Sequence, residues 1–292
     1  MKSTVYFSHE ITPEKVLELF KLVGKELPGR VAIKVHSGEK GNQNFLRPGF
    51  WKPIVDYVGG TVVECNTAYD GARNTTERHR QLLTDHGWSK EFPVDLLDAE
   101  GPDLELDIPN GKVIHKNYVG KDLANYDSML VLSHFKGHPM GGLGGALKNM
   151  SIGIASARGK QWIHTSGSGE TSFEALMTAD HNSFLESMAD ACQAVIAHKG
   201  AENIVYINVA NRLSVDCDCC AAPAEPEMAD IGVFASLDPV AVDQACIDAV
   251  YNSPDPGKAA LIERMESRNG IHTIEAAAAL GLGSREYEIV RI

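Results

Sequence analysis

Three cysteines lie within four positions in the segment Asp216-Cys217-Asp218-Cys219-Cys220. In an extended chain, side chains two residues apart share a face. Cys217 and Cys219 can therefore clasp one soft ion, while Asp216, Asp218 and Cys220 turn away. Thiolates select zinc, copper(I) or iron–sulfur centres. The flanking aspartates oppose thiol ionisation, so a cation is needed to hold the thiolates. The alternative, a set of small buried thiols, sits poorly with a polar segment that runs on into Ala221-Ala222-Pro223. His134 and His138 are four apart, a spacing that shares one face of a helix, although Gly137 and Pro139 argue against a helix there. With His164 they are the imidazole candidates for the same ion. The expected metal set is His134, His138, His164, Cys217 and Cys219, and the expected metal is zinc, iron, nickel or an iron–sulfur cluster.

A second group of residues suits an anion. Gly137, Gly141, Gly142, Gly144 and Gly145 crowd into nine positions and lead to Lys148-Asn149. Successive glycine N–H groups can point at one anion, with Lys148 adding charge at a helix start. This predicts a phosphate-bearing cofactor or a small anionic ligand; close backbone packing is the alternative use of the same glycines. The string matches neither the Walker A pattern nor the first-strand dinucleotide fingerprint. Asn42, Asn66, Arg73 and Asn149 complete the expected cofactor contacts, and Lys34 and Lys136 add positive charge. His36 and Lys136 are the catalytic candidates, His36 because its ordinary pKa lies nearest neutrality.

Short aliphatic runs alternate with amphipathic segments, and these must position those residues. Thr4–Phe7, Val31–Val35, Thr61–Cys65, Met129–Leu132, Ile204–Val209, Ile231–Ala235 and Glu286–Val290 read as strands, with shorter candidates at Val94–Leu97, Leu104–Ile108 and Val113–Ile114. Pro13–Leu22, Pro48–Val58, Thr75–Asp85, Ser172–Ala197, Pro239–Val250, Ala259–Ser267 and Thr273–Ala279 read as helices. Such alternation predicts an α/β fold, a mainly parallel sheet sandwiched by helices in Rossmann-like lobes. One unit with two lobes, about 1–127 and 128–292, would share a central site. Ligands of parallel sheets bind beyond the carboxyl ends of the strands. Five polar loops follow strands, starting at His36, Asn66, Ser133, Asn211 and Ser236, and the first and last strands are expected to feed the same site.

The chain has 292 residues, with 27 Lys and Arg against 39 Asp and Glu, a net charge of −12. That balance excludes broad nucleic-acid binding. No run of 18 apolar residues marks a membrane span, and no secretory leader is legible at the start. The expectation is a cytoplasmic chain whose six cysteines are thiols or ligands, with Cys65, Cys192 and Cys246 in the core.

Four strings together resemble the DUF362 family, whose members are often described as Fe-S center proteins. They are Ile33-Lys34-Val35-His36-Ser37-Gly38-Glu39-Lys40-Gly41-Asn42, His134-Phe135-Lys136-Gly137-His138 with the glycines that follow, Asp216-Cys217-Asp218-Cys219, and Ser236-Leu237-Asp238-Pro239-Val240-Ala241-Val242-Asp243. The ending Gly281-Leu282-Gly283-Ser284-Arg285-Glu286-Tyr287 fits as well. Many relatives carry a ferredoxin-like insertion of Cys-x-x-Cys runs, expected near His164–Ser172. Here Thr165-Ser166-Gly167-Ser168-Gly169 stands in its place, so the resemblance implies the family core without that segment. Three readings follow: a metal-dependent or redox enzyme, a metal or cluster carrier serving a redox partner protein, and a metal-free binder of a phosphorylated or carboxylated metabolite. A homo-oligomer is a further expectation.

Overall fold

A computed structural model describes all residues except 1, 171, 173, 174, 176 and 177. Eight strands form one mixed sheet: β12 (Tyr287–Arg291), β1 (Ser3–Ser8), β11 (Gly232–Ser236), β10 (Ile204–Ala210), β7 (Ser128–His134), β2 (Val31–Lys34), β3 (Thr61–Glu64) and β4 (Val94–Leu96), in that spatial order. Strands from both halves of the chain therefore lie in one sheet. All neighbours pair in parallel except β11, which is antiparallel to both β1 and β10. Two small hairpins stand outside it, β5 (Leu104–Asp107) with β6 (Lys116–Val119), and β8 (Lys136–His138) with β9 (Gly142–Gly144).

Period-2 alternation explains how one apolar run serves two cores. Met129 and Val131 of β7 join Ile204 and Tyr206 of β10 in one apolar cluster, with the helices His181–Lys199 and Pro239–Asn252. Leu130 and Leu132 join Val205, Ile207 and Val209 in the other, with the helices Pro13–Val23 and Pro48–Val58. Both strands are buried along their whole length. The helix Pro13–Val23 shows its local grammar: the Thr12 side chain accepts the Lys15 N–H, Pro13 opens the first turn, and Gly24 closes the helix at φ 68°.

Three expectations are corrected. Val113–Ile114 is not a strand; its N–H groups donate to the buried Asp190 carboxylate, and the partner of β5 is β6. The expected helix Ser172–Ala197 is observed as His181–Lys199, capped by Asp180; its start lies partly outside the described residues. The loop after β11 emerges at the edge of the sheet opposite the other four, because β11 runs antiparallel. No helix among the described residues is long and apolar enough to cross a membrane.

Candidate functional site

The carboxyl ends of β2, β3, β7 and β10 share one edge of the sheet, and their loops enclose a cavity of about 210 Å³. Lys34 and His36 enter from β2, Glu64, Tyr69 and Arg73 from β3, and His134, Lys136, His138 and Lys148 from β7. Cys217 and Cys219 enter from β10, and the helix Ala157–His164 adds Lys160 and His164. The fifth loop is absent: Asp238 caps the helix Pro239–Asn252 and binds Ser3 and Ser284 at the far edge. The ends of β1 and β12 do not line the cavity either, so the first and last strands do not feed it.

His138, Cys217 and Cys219 form the only Cys/His group with metal-binding spacing among the described residues, their ligand atoms all within 4.8 Å of one another. His138 Nε2 lies 3.9 Å from Cys219 Sγ. Its Nδ1 accepts the N–H groups of Met140 (3.1 Å) and Gly141 (2.9 Å), so the neutral ring carries its proton on Nε2, facing the sulfurs. The hydrogen bond from Cys219 and the charges of Lys136 and Lys148 draw the Cys217 thiol below the usual thiol range, against the opposing effect of burial. That hydrogen bond to Cys217 pushes the Cys219 thiol up.

The alternation around these sulfurs puts Asp218 on the other side, where Lys136 Nζ lies 3.0 Å from its carboxylate. His134 is corrected as a ligand. Its Nδ1 meets Asp218 at 2.9 Å and its Nε2 meets the Asn211 carbonyl at 2.6 Å, so both ring nitrogens are engaged and neither lone pair is free. His164 stands apart from the thiols. Its Nδ1 donates to the Lys160 carbonyl (2.6 Å), which leaves the Nε2 lone pair open, and its ring stacks on Phe184. In His36 the reverse holds: Nδ1 accepts the Gly38 N–H (3.1 Å) and the proton sits on Nε2. Burial lowers the imidazoles of His36, His138 and His164, helped by Arg73 at His36 and Lys148 at His138 and His164. His36 falls to about 3, and His138 and His164 to about 4. They are neutral at neutral pH.

The expected anion cradle is corrected. Gly145 packs on Asp243, where an added Cβ would lie 2.3 Å from its carboxylate oxygen, and Gly142, at φ 74°, packs on Gly270. The N–H groups of Ala146 and Leu147, at the start of the helix Ala146–Ser151, donate to Asp243 at 2.7 and 3.0 Å. The helix start is thus satisfied by the chain's own carboxylate, and the glycines permit that approach. Gly141 serves His138, and Gly144 lies beside Lys148 and Lys136.

Asn42 and Asn66 are likewise corrected: neither lines the cavity. Asn42 donates to the Cys220 carbonyl (2.8 Å) and accepts the N–H groups of Asn44 and Phe45, so it fixes the thiol loop. Asn66 binds Thr76 and His79. Arg73 lines the cavity while pairing with Glu39 (3.1 Å) and Tyr69 (2.6 Å), and Asn149 donates to the Leu132 carbonyl and Ser133.

Glu64, Asp218, Lys160 and Asp243 were not singled out from sequence. Glu64 had a signal, a carboxylate ending an apolar strand; it pairs with Lys34 at 2.6 Å and accepts the Ser37 N–H at 2.7 Å. Burial opposes its ionisation, and the surrounding groups, Lys34 foremost, together outweigh that, holding the carboxyl well below its usual range. Lys160 had none. It is 7% exposed, and its amine donates to the Ala155 carbonyl at 2.5 Å with no carboxylate partner among the described residues.

Comparison with known proteins agrees with this architecture. No curated protein matches the chain. Among solved structures, the lactate racemase apoprotein of Thermoanaerobacterium thermosaccharolyticum is similar at 12% identity and a TM-score of 0.50. The match covers 84% of this chain and 56% of that one. A protein from Thermotoga maritima gives 12% identity and a TM-score of 0.45, covering 92% and 59%. The chain thus spans less than three-fifths of either solved structure, and the likeness to the first is one of α/β fold. Residues 31–248, the stretch that holds every cavity residue named above, match the family described as "Domain of unknown function (DUF362)", and the chain belongs to that family.

Proposed function

We propose that the cavity is the active site of a metal-assisted enzyme that moves a proton on a small carboxylate. The observation that carries the reading is the complementary set of neutral imidazoles on one cavity: His164 offers an Nε2 lone pair, and His36 offers an Nε2 proton. One can accept a proton while the other donates, both in the form needed at neutral pH. Lys148, half-buried and without an ion pair among the described residues, would seat the carboxylate. Lys136 would act on the thiol loop through Asp218.

The donor set fits a borderline ion such as zinc or nickel, held by Cys217 and Cys219 with His138 beside them. Such an ion would polarise a substrate oxygen. A four-thiolate iron–sulfur cluster does not fit: among the described residues the cavity wall holds only one cysteine besides Cys217 and Cys219, Cys65, whose thiol is bonded to the Ile154 carbonyl, and Cys192 and Cys246 are buried in the core. The fold neighbour named as a lactate racemase acts, by its name, on a small hydroxy acid; at 12% identity the cavity, not the likeness, supports the same substrate size here.

The test is solvent deuterium exchange. Metal-loaded protein is incubated in deuterium oxide with two- to four-carbon hydroxy and oxo acids and followed by NMR. Wash-in at the carbon next to the carboxylate, lost in His164→Gln, is expected. No exchange with any of these acids, by protein that holds metal, would overturn the reading.

A second reading, a thiol–disulfide couple, is favoured by the Cys219-to-Cys217 hydrogen bond. Equilibration with glutathione and alkylation of residual thiols separates it from metal binding, since a disulfide would leave both sulfurs unlabelled without any ion.

A further inference from the structure

We propose that Lys160 is a nucleophile that forms an imine with the carbonyl of a small oxo-carboxylate in this cavity. This deepens the proposed function by naming its substrate class, and it rests on the carboxylate seat argued there. The buried lysine amines of the chain differ in their partners. Lys34 has Glu64 at 2.6 Å and Lys136 has Asp218 at 3.0 Å, so both are fixed as ammonium groups. Lys199 donates only to the carbonyls of Leu123 and Tyr126 and does not line the cavity. Lys160 alone among the described residues is buried, faces the cavity and has no carboxylate within ion-pair reach.

A neutral amine at this position uses one N–H on the Ala155 carbonyl and keeps its lone pair for an electrophile. Burial also lowers the Lys160 pKa, which favours that form. His164 lies four residues on, one turn along the same helix, and its own Nδ1–H bond to the Lys160 carbonyl ties the two together. The open His164 Nε2 is therefore available to shuttle the protons.

The step balances without a further reactant. The amine lone pair attacks the carbonyl carbon, and the carbonyl π electrons move to oxygen. His164 Nε2 takes one proton from the nitrogen and hands it to the oxygen, which gives the neutral carbinolamine. His164 then takes the second N–H proton and hands it to the hydroxyl, which leaves as water as the nitrogen closes the C=N bond. Amine plus carbonyl thus give imine plus water. An imine withdraws electrons from the adjacent carbon and makes its C–H bond easier to ionise, so the adduct would serve the proton transfer proposed above.

The experiment uses the full chain, pyruvate and glyoxylate as oxo acids, lactate as a carbonyl-free control, and cyanoborohydride as trap. Melting shifts read binding, and peptide mass mapping locates the adduct. Expected are melting shifts with all three acids and a reduced adduct confined to Lys160 with the two oxo acids. Lys160→Arg, which keeps an N–H donor for the Ala155 carbonyl but has no nucleophilic lone pair, should lose the adduct and keep the lactate shift. Adducts spread over surface lysines, or none at Lys160 while the acids still bind, would overturn the imine and leave the carboxylate seat standing. No melting shift with any acid and no adduct would overturn both.

Discussion

The lysines of the cavity divide into two kinds. Lys34 and Lys136 each face a buried carboxylate, whereas Lys148 and Lys160 face the cavity with none. A buried ion pair is weak evidence for net stability, but removing one partner strands the other charge. The first pair therefore anchors loops: Lys34 ties β2 to β3 through Glu64, and Lys136 ties β7 to the thiol loop through Asp218. The second pair is held ready for something not supplied by the chain. Paired charge builds the walls, and unpaired charge points to the ligand.

The largest effect is expected from breaking an anchored pair. Lys34→Met leaves Glu64 buried without its cation and should lower unfolding stability by about 3–5 kcal/mol, read by urea denaturation. Lys160→Met removes no ion pair and should cost under about 1 kcal/mol. Equal losses in the two variants would erase the distinction.

A buried anion sharpens the same contrast. Asp243 has no cation partner and is held by the N–H groups of Ala146 and Leu147 and by Asn208. Burial raises its carboxyl to about 6 from an ordinary 3.8. A carboxyl raised on folding stabilises when protonated, so its contribution is full below pH 4 and is lost as pH rises through 6. Relative to Asp243→Asn, the wild type should gain on the order of 1 kcal/mol between pH 7 and 5, a difference set against the opposite trend of His36, His79, His138 and His164, whose lowered pKa values cost stability as pH falls through their ordinary range. Glu64 and Asp218 are depressed instead, Asp218 by His134 and Lys136 against the opposing effect of burial. Their contributions are present at neutral pH and decline as pH falls below about 4. A stability difference between the wild type and Asp243→Asn that stays constant from pH 5 to 7 would contradict the Asp243 account.

The smallest structural effect is expected at the open cation. Lys148→Ala should change stability by no more than about 0.5 kcal/mol while weakening carboxylate binding roughly tenfold, measured by calorimetry with lactate. Unchanged affinity would move the seat elsewhere, with Arg73 next.

Much of this was legible in sequence, for a physical reason in each case. Aliphatic runs such as Met129–Leu132 must be buried on both faces, and polar loops after parallel strands must gather at one edge. Strand direction was not legible for β11, because period-2 alternation reads the same both ways. The Cys217/Cys219 clasp and the outward turn of Asp218 followed from spacing. That His138 and not His134 joins them did not, since it depends on Asp218 and Asn211 claiming both His134 nitrogens. The glycines pointed to an anion, and the anion is Asp243, about a hundred residues further on and invisible to any local pattern. Lys160 became visible only when the cavity showed which lysines lack a partner.

On the proposed function, Cys217 and Cys219 hold an ion beside the carboxylate seat. Native mass spectrometry of anaerobically purified protein titrated with zinc and with nickel tests it most directly. One ion per chain is expected in the wild type, and none in the folded Cys217→Ser/Cys219→Ser variant. Equal metal content in the two proteins, or none in either, would contradict it.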